Sequence, residues 1–236
     1  TWGIYCLFLR ICLTGLFHLI KDSEMNSLKI TEIFYSLQGE GRETGFPTLF
    51  IRLANCNLRC SYCDTHYSFE DGRDYGFDEL EKILADYEHC RRVLITGGEP
   101  LLQERALVKF IQILLLKGWR VSLETNGTRD LAKIDSAVHK VVDVKLSGSE
   151  AQEPFFMDNL EFLTPRDEVK FVISSREDFV EALKFIDKYL KDKNLSLIFS
   201  PVWERVDAKT LSQWILDTHR SDIKLGLQLH KIIGIA

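Results

Sequence analysis

The feature that most constrains this chain is a regular alternation of short apolar runs with amphipathic stretches, from residue 28 to the C-terminus. Runs of strand length lie at residues 28–36, 48–54, 91–96, 119–125, 141–146, 169–174, 195–200 and 224–229, and helical periodicity covers residues 78–88, 101–117, 176–192 and 207–219. Such alternation produces right-handed βαβ crossovers and a parallel sheet. We therefore predict an α/β fold, a partial (β/α)6-type barrel with an open parallel sheet, because the chain is short for eight βα units.

An apolar leader precedes this alternation. The first twenty residues are almost all apolar, but Arg10 and His18 interrupt them. The stretch could span a bilayer, yet it lacks the basic start and the small-residue cleavage site of a signal peptide. We expect Met25 to be the natural start, with residues 1–24 outside the native domain and residues 25–236 forming one domain. A membrane anchor is the alternative.

Charge and composition narrow the possible partners. The 236 residues carry a net charge of −5, and the basic residues are scattered rather than gathered on one segment. A protein that binds nucleic acid through its phosphates normally presents a basic face. The chain is 45% hydrophobic, which is enough for a packed core. We expect a small-molecule substrate, no nucleic acid and no membrane.

Three of the six cysteines fall within eight positions. Cys56, Cys60 and Cys63 have the spacing C-x3-C-x2-C, whereas disulfide scaffolds are shorter and denser in cysteine. Three thiolates on one loop can hold three corners of a cubane iron–sulfur cluster, and the lack of a nearby fourth cysteine leaves one iron open to a ligand. The alternative is a structural zinc site in which His66 or Cys90 supplies the fourth ligand.

Polar or glycine-rich segments follow most of the predicted strands. They cover residues 55–65, 96–100, 124–127, 145–148 and 200–203. In parallel α/β folds the carboxyl ends of the strands meet at one edge of the sheet, and ligands bind there. The distribution therefore predicts a site at this edge, with the cysteine segment as part of it.

The motifs resemble those of a known family. The cysteine spacing and Gly-Gly-Glu-Pro at 97–100 resemble the radical S-adenosylmethionine (SAM) superfamily. SLQGEG (36–41), FIRLANCNLRCSYCDT (50–65), TGGEP (96–100), ETNGT (124–128), VDVKLSGS (142–149) and QLHK (228–231) resemble the 7-carboxy-7-deazaguanine synthases of queuosine biosynthesis. The resemblance implies a barrel of the radical SAM kind. It also implies a carbon–nitrogen lyase that converts 6-carboxy-5,6,7,8-tetrahydropterin to 7-carboxy-7-deazaguanine with loss of ammonia, and regenerates SAM.

The resemblance also implies a role for individual residues. Cys56, Cys60 and Cys63 would hold a [4Fe-4S] cluster, and Thr65 would bind Mg²⁺. The residues expected to contact SAM are Tyr62, Cys63, Asp64, Gly98, Lys145, Leu146, Ser147, Ser200, Pro201, Val202 and Trp203. Those expected to contact the substrate are Leu37, Gln38, Gly39, Arg52 and Thr96. A structural ion pair is the alternative role for Arg52.

The implied partners are a one-electron reductant such as a flavodoxin or ferredoxin and a second copy of the chain, in the cytoplasm. The chain departs from the family at its end, because it stops at Ala236 where many relatives have a proline beside the substrate. Two other functions remain open from sequence. One is a radical SAM activase that generates a glycyl radical on a partner protein, and the other is a zinc-stabilised binding module without catalysis.

Overall fold

The computed structural model of the protein describes residues 26–235. The apolar leader, Met25 and the departure at Ala236 lie outside these described residues. The strands are β1 (Ser27–Leu37), β2 (Pro47–Leu53), β3 (Arg73–Gly76), β4 (Arg92–Gly97), β5 (Arg120–Thr125), β6 (His139–Val144), β7 (Glu168–Ile173), β8 (Ser196–Pro201) and β9 (Ile223–Leu225).

One nine-stranded sheet contains all of these strands, in the order β3-β1-β2-β4-β5-β6-β7-β8-β9. Strand β1 pairs antiparallel with both β2 and β3, and every pair from β2–β4 to β8–β9 is parallel. In the described part of the chain the edge strands β3 and β9 do not pair with each other. The prediction of an α/β fold with an open, largely parallel sheet is confirmed.

Within residues 26–235, five α-helices accompany the sheet: α1 (Phe77–Asp86), α2 (Glu104–Leu116), α3 (Arg176–Tyr189), α4 (Ala208–Asp217) and α5 (Leu229–Ile233). Side chains cap the starts of two of them, because Ser175 accepts a hydrogen bond from Asp178 N and Asp207 accepts one from Thr210 N. None of the helices among residues 26–235 combines the length and the apolar character needed to cross a lipid bilayer.

Two groups of buried apolar side chains form the core. One joins β1, β2, β4 and β5 to helices α1 and α2, and includes the fully buried Phe110. The other joins β7 and β8 to helices α3 and α4, and includes Phe171 and Phe179. Both groups hold the helices against the sheet, so the strand ends and the loops that follow them have fixed positions.

The predicted elements agree with the structure except at short segments. The edge strand β3 was not predicted, because a four-residue strand carries too little periodicity. The helix expected at 101–117 begins as a 3-10 turn at Pro100–Gln103 before α2. The run expected as a strand at 224–229 is β9 followed by the start of α5. No strand or helix is predicted between the runs at 141–146 and 169–174, and the structure has two 3-10 turns in residues 147–167, Ser147–Ser149 and Met157–Glu161.

Candidate active site

A cavity of about 790 Å³ begins at the cysteine loop, residues 56–63, and extends into the sheet. It is lined by most of the side chains that the sequence predicted for the site. These are Leu37, Gln38, Gly39, Arg52, Cys56, Cys60, Tyr62, Cys63, Asp64, Thr65, Thr96, Gly98, Lys145, Ser200, Pro201, Val202 and Trp203. Residues more than 160 positions apart in sequence therefore meet at one place, as expected for loops that follow parallel strands.

Two predicted SAM contacts do not line this cavity. The side chain of Leu146 is packed in the core group of β7 and β8. Ser147 donates from its backbone nitrogen and its hydroxyl to Glu181 of α3, at 3.0 and 2.6 Å. Both residues lie beside Lys145, so the fold accounts for them without a ligand, and their predicted contact with SAM stays a prediction.

The cysteine loop follows β2 and is held by the segment after β6. Ser61 donates from its backbone nitrogen to Ser149 O at 2.9 Å and from its hydroxyl to Gly148 O at 3.0 Å. The Arg59 guanidinium folds back onto the carbonyls of Cys56 and Leu58, at 2.8 Å each. The segment at residues 147–152 thus packs against the loop.

All three cysteines of the loop are free and half-buried, and all three face the cavity. Burial raises the pKa of the Cys56 and Cys60 thiols. Metal and cluster ligation requires thiolates, and burial disfavours the charged thiolate. A positively charged metal centre therefore has to offset the cost of ionising these buried thiols.

The candidate fourth ligands for zinc lie away from the trio. The Cys90 thiol donates to Pro47 O at 3.1 Å, at the opposite end of β2 from Cys56. His66 is exposed and makes an edge contact with the Phe69 ring. Among residues 26–235, no three side chains of His, Cys, Asp and Glu are close enough together to hold a single metal ion. The part of the chain that is described therefore does not assemble the zinc site considered above.

The Gly-Gly-Glu-Pro turn is fitted tightly against the start of the cysteine loop. A Cβ on Gly98 would overlap the carbonyl of Asn55 and lie 2.9 Å from the Cβ of Cys56. Glu99 is fully buried, and it accepts hydrogen bonds from Leu101 N at 2.9 Å, Thr125 Oγ1 at 2.8 Å and Asn126 N at 2.7 Å. Burial raises its pKa. Glu99 therefore joins the ends of β4 and β5, and only a glycine fits at position 98.

A chain of alternating charges forms one wall of the cavity. Lys145 pairs with Asp143 at 2.8 Å, and Lys170 lies 3.3 Å from Asp143 and 3.1 Å from Glu40. Burial raises the pKa of Asp143, but Lys145 and Lys170 outweigh it, so the net shift is downward. The carboxylates raise the pKa of both lysines above their usual value despite burial. The wall is thus fully ionised at neutral pH.

Glu124 is the acidic side chain of the cavity without a close cation. Within the described part of the chain, its carboxylate receives two long hydrogen bonds, from Gln38 Nε2 at 3.4 Å and from Thr96 Oγ1 at 3.3 Å. Burial raises its pKa, and Lys170 opposes that shift from a distance. The group therefore retains capacity to accept hydrogen bonds from a molecule in the cavity.

Arg52 faces the cavity and also forms an ion pair. It lines the cavity, and its Nε donates to Glu32 Oε1 at 2.6 Å. The guanidinium also lies over the rings of Phe34 and Tyr67, at 5.8 and 5.9 Å from their centroids. These contacts orient the group, and the ion pair uses its Nε.

Comparisons with known proteins give the family. The sequence profile of the radical SAM superfamily matches residues 50–202. A 7-carboxy-7-deazaguanine synthase of Koribacter versatilis is 44% identical, over 87% of this chain and 96% of its own length. The enzyme of the same name from Thermoplasma acidophilum is 38% identical, over 86% of this chain and 96% of its own length.

The chain belongs to the 7-carboxy-7-deazaguanine synthase family of radical SAM enzymes. A solved structure supports the fold of this family: the crystal structure of QueE from Escherichia coli has a TM-score of 0.72 and 24% identity, and the match covers 86% of this chain and 95% of that one.

Radical SAM enzymes use a [4Fe-4S] cluster and SAM, and the cavity fits both. The three free thiols share one wall of it, which suits a cluster with three protein ligands. The Tyr62 hydroxyl is buried and has no hydrogen-bond partner among the described residues, and burial raises the pKa of Tyr62 to about 12. Such an unpaired polar group beside the cysteines suits a polar ligand next to the cluster.

Several charged residues of the cavity wall were not predicted as site residues, among them Glu40, Glu124, Asp143 and Lys170. Their signal was present, because the last three interrupt apolar strand segments, where an unpaired charge is costly. Lys170 pairs with Glu40 and Asp143 from distant parts of the chain, so sequence separation hid those pairs.

Proposed function

We propose that this chain converts 6-carboxy-5,6,7,8-tetrahydropterin to 7-carboxy-7-deazaguanine, with loss of ammonia. One observation carries the proposal: a single cavity combines the cysteine trio with Arg52 and with the buried carboxylate of Glu124. The substrate has a carboxylate and, at its other end, a 2-amino-4-oxopyrimidine edge that donates hydrogen bonds. The cavity offers a cation and a hydrogen-bond acceptor for these two ends.

The cysteines would hold the [4Fe-4S] cluster through their thiolates. With SAM bound beside it, such a cluster would supply the one-electron reductive chemistry by which radical SAM enzymes abstract hydrogen. The proposed contacts of SAM are Tyr62, Asp64, Gly98, Lys145 and the segment Ser200, Pro201, Val202 and Trp203, which line the cavity near the cysteines. The half-exposed Trp203 would exclude water from the mouth.

Arg52 would bind the substrate carboxylate. Its Nε is engaged by Glu32, and a guanidinium with one edge held in this way can still present its remaining N–H groups to a carboxylate. Thr65 is the proposed Mg²⁺ position, and its hydroxyl donates to Asp64 Oδ1 at 3.0 Å. Because Mg²⁺ keeps several waters, one protein hydroxyl and the substrate carboxylate would suffice to hold it here.

Glu124 would accept hydrogen bonds from the pyrimidine edge of the pterin. A carboxylate can accept two parallel N–H bonds from such an edge, and those donors would favour its ionised form. Gln38 and Thr96, which already contact this carboxylate, would fix its orientation beside the ring. Leu37 and Gly39 complete the proposed contacts with the pterin.

Three further inferences accompany the activity. A one-electron reductant, such as a flavodoxin or ferredoxin, supplies the electron. The working form is a homodimer. The protein works in the cytoplasm, a reducing compartment that suits the free cysteines of the described chain. Residues 25–236 make up the catalytic domain, so a protein that begins at Met25 should keep full activity.

The test is anaerobic reconstitution of the cluster, followed by incubation with SAM, a reductant and the carboxypterin. We expect about four iron and four sulfide per chain and release of 7-carboxy-7-deazaguanine. Deuterium at C6 of the substrate should appear in recovered SAM, because SAM is regenerated. A protein that cleaves SAM but leaves the pterin unchanged would contradict the proposed substrate.

A further inference from the structure

The loop between β1 and β2, residues 38–46, contains conspicuous residues and contacts whose roles the proposed function does not explain. We name it the strap. Its first residues, Gln38, Gly39 and Glu40, line the cavity, whereas Arg42 is exposed. The strap carries the Gln-Gly-Glu-Gly motif, and substrate contact accounts for the start of this motif but not for Gly41.

The strap is fastened to β7 through Glu168, the first residue of that strand. Glu168 is fully buried. Its Oε2 accepts a hydrogen bond from Arg42 N at 2.9 Å, and its Oε1 accepts bonds from Lys224 Nζ at 2.9 Å and Ser196 Oγ at 3.4 Å. His139 Nε2 lies 3.4 Å from Oε2. Donors from β8, β9 and the strap itself therefore fix the carboxylate that holds the strap.

Gly41 is explained by the same carboxylate. Its φ is +70°, a conformation that other residues rarely adopt. A Cβ at this position would lie 2.6 Å from Glu168 Oε2, and Glu168 is too tightly held to move aside. The second glycine of the motif thus lets the backbone pass close enough to Glu168 for Arg42 N to donate to it.

A second attachment lies two residues further along β7. Because side chains alternate along a strand, Lys170 faces the same side as Glu168, and its ammonium pairs with Glu40 at 3.1 Å. The C-terminal segment adds two contacts, from Gln228 Nε2 to Glu40 Oε1 and from Leu229 N to Gly39 O, both at 2.9 Å. The cavity end of the strap is therefore set by β7 and by the start of α5.

We propose that Glu168 is a positioning residue: it holds the strap through Gly41 and Arg42, and so sets where Gln38, Gly39 and Glu40 meet the pterin. Glu168 does not line the cavity, so any effect it has on the pterin is indirect, and the strap is the contact of Glu168 that reaches the cavity. The identity of the ligand rests on the proposed function, whereas the attachment of the strap does not.

The first test compares Glu168→Gln with Asp167→Asn. Asp167 is an equally buried neighbour whose carboxylate contacts Lys140 and Thr164, not the strap. In reconstituted enzyme, Glu168→Gln should raise KM for the pterin roughly tenfold, with kcat and the Kd for SAM changed by less than about twofold. Asp167→Asn should lower stability but leave KM near the wild-type value. A similar rise of KM in both variants, or an unchanged KM in Glu168→Gln, would overturn the proposal.

The second test needs no turnover. Arg42 is exposed, so release of the strap should increase tryptic cleavage after Arg42 in native holoenzyme. Glu168→Gln should be cleaved there at least about fivefold faster than the wild type, and Asp167→Asn should not. Equal cleavage of the wild type and Glu168→Gln would refute the attachment. If the wild type fails to convert the pterin while this pattern holds, the proposed function fails and the attachment stands.

A double-mutant comparison separates the roles of Gly41 and Glu168. Gly41→Ala places a methyl group against the Glu168 carboxylate, so it should accelerate tryptic cleavage in the wild-type background. In a Glu168→Ala background the clash is gone, and the same substitution should have a clearly smaller effect, limited to the cost of its positive φ. Additive effects of the two substitutions would contradict direct contact between them.

Discussion

The ammonium of Lys231 donates to Asp64 Oδ2 across 2.8 Å, and this ion pair joins helix α5 to the cysteine loop although the two residues are 167 positions apart. Burial raises the pKa of Asp64, but the bond from Lys231 outweighs it and the net shift is downward. Because Asp64 also accepts from Thr65, the C-terminal helix steadies the proposed SAM and Mg²⁺ positions together.

Lys231→Ala should weaken SAM binding modestly. The pair is partly exposed, with 22% and 59% of the two side chains accessible, so its loss should raise the Kd for SAM by no more than about fivefold. Calorimetric titration of SAM into reconstituted enzyme measures this. Lys188→Ala, on the outer side of α3 beside Tyr189, is the matched control and should bind as the wild type does. Salt should reduce the difference between the two variants, and a salt-independent difference would argue against an electrostatic role.

Cys60→Ala should abolish cluster retention and turnover together, because two thiolates cannot hold a cubane cluster at three corners. Iron and sulfide analysis after anaerobic reconstitution, with the visible absorption spectrum, provides the measurement. Cys90→Ala is the control, since its thiol contacts Pro47 O at the far end of β2. A Cys60→Ala protein that keeps its full iron content would contradict the assignment of this residue as a ligand.

Arg52→Lys should raise KM for the carboxypterin roughly tenfold, because an ammonium cannot form the paired N–H bonds of a guanidinium. Steady-state kinetics with varied pterin at saturating SAM would measure it. Glu32→Gln keeps Arg52 and removes only its charged partner, so a much smaller change in KM is expected. If both variants raise KM equally, the ion pair rather than substrate contact is the role of Arg52.

The sequence was sufficient to predict those features of the fold and site that depend on a local pattern of residues. The strands and helices of the βα alternation, the cysteine loop and the polar strand ends all carry signals within about ten residues. The structure brings Arg52, Thr96, Lys145 and the cysteines to one cavity, as the carboxyl-end rule for parallel strands implies.

The charge network could not be derived in the same way. The ion-pair partners Glu40 and Lys170 lie 130 residues apart in sequence. Glu168 and Arg42, whose backbone nitrogen donates to it, lie 126 residues apart. Nothing local to either residue specifies its partner, because the register of β7 and the path of the strap decide it. Short segments such as β3 and α5 were missed because tertiary packing, not periodicity, stabilises them.

Glu168 should also contribute to acid stability. Burial raises its pKa, but the neighbouring His139, Arg42 N and Lys224 together outweigh this and lower the pKa to about 2. A carboxyl with a lowered folded pKa stabilises the protein above its unfolded value near 4.5, and this contribution disappears as pH falls toward 2. The shift corresponds to at most about 3 kcal/mol.

Urea unfolding of the wild type and of Glu168→Gln between pH 7 and pH 2 would measure this contribution. The gap in the free energy of unfolding should be constant above about pH 5 and should close as pH falls through the interval between the two pKa values. Lys224→Met removes one donor to the same carboxylate, so it raises the pKa of Glu168 in the folded protein. In the Lys224→Met background, the difference in free energy of unfolding caused by Glu168→Gln should therefore be smaller at neutral pH. A gap between the wild type and Glu168→Gln that does not change with pH would show that the carboxylate contributes by shape and not by charge.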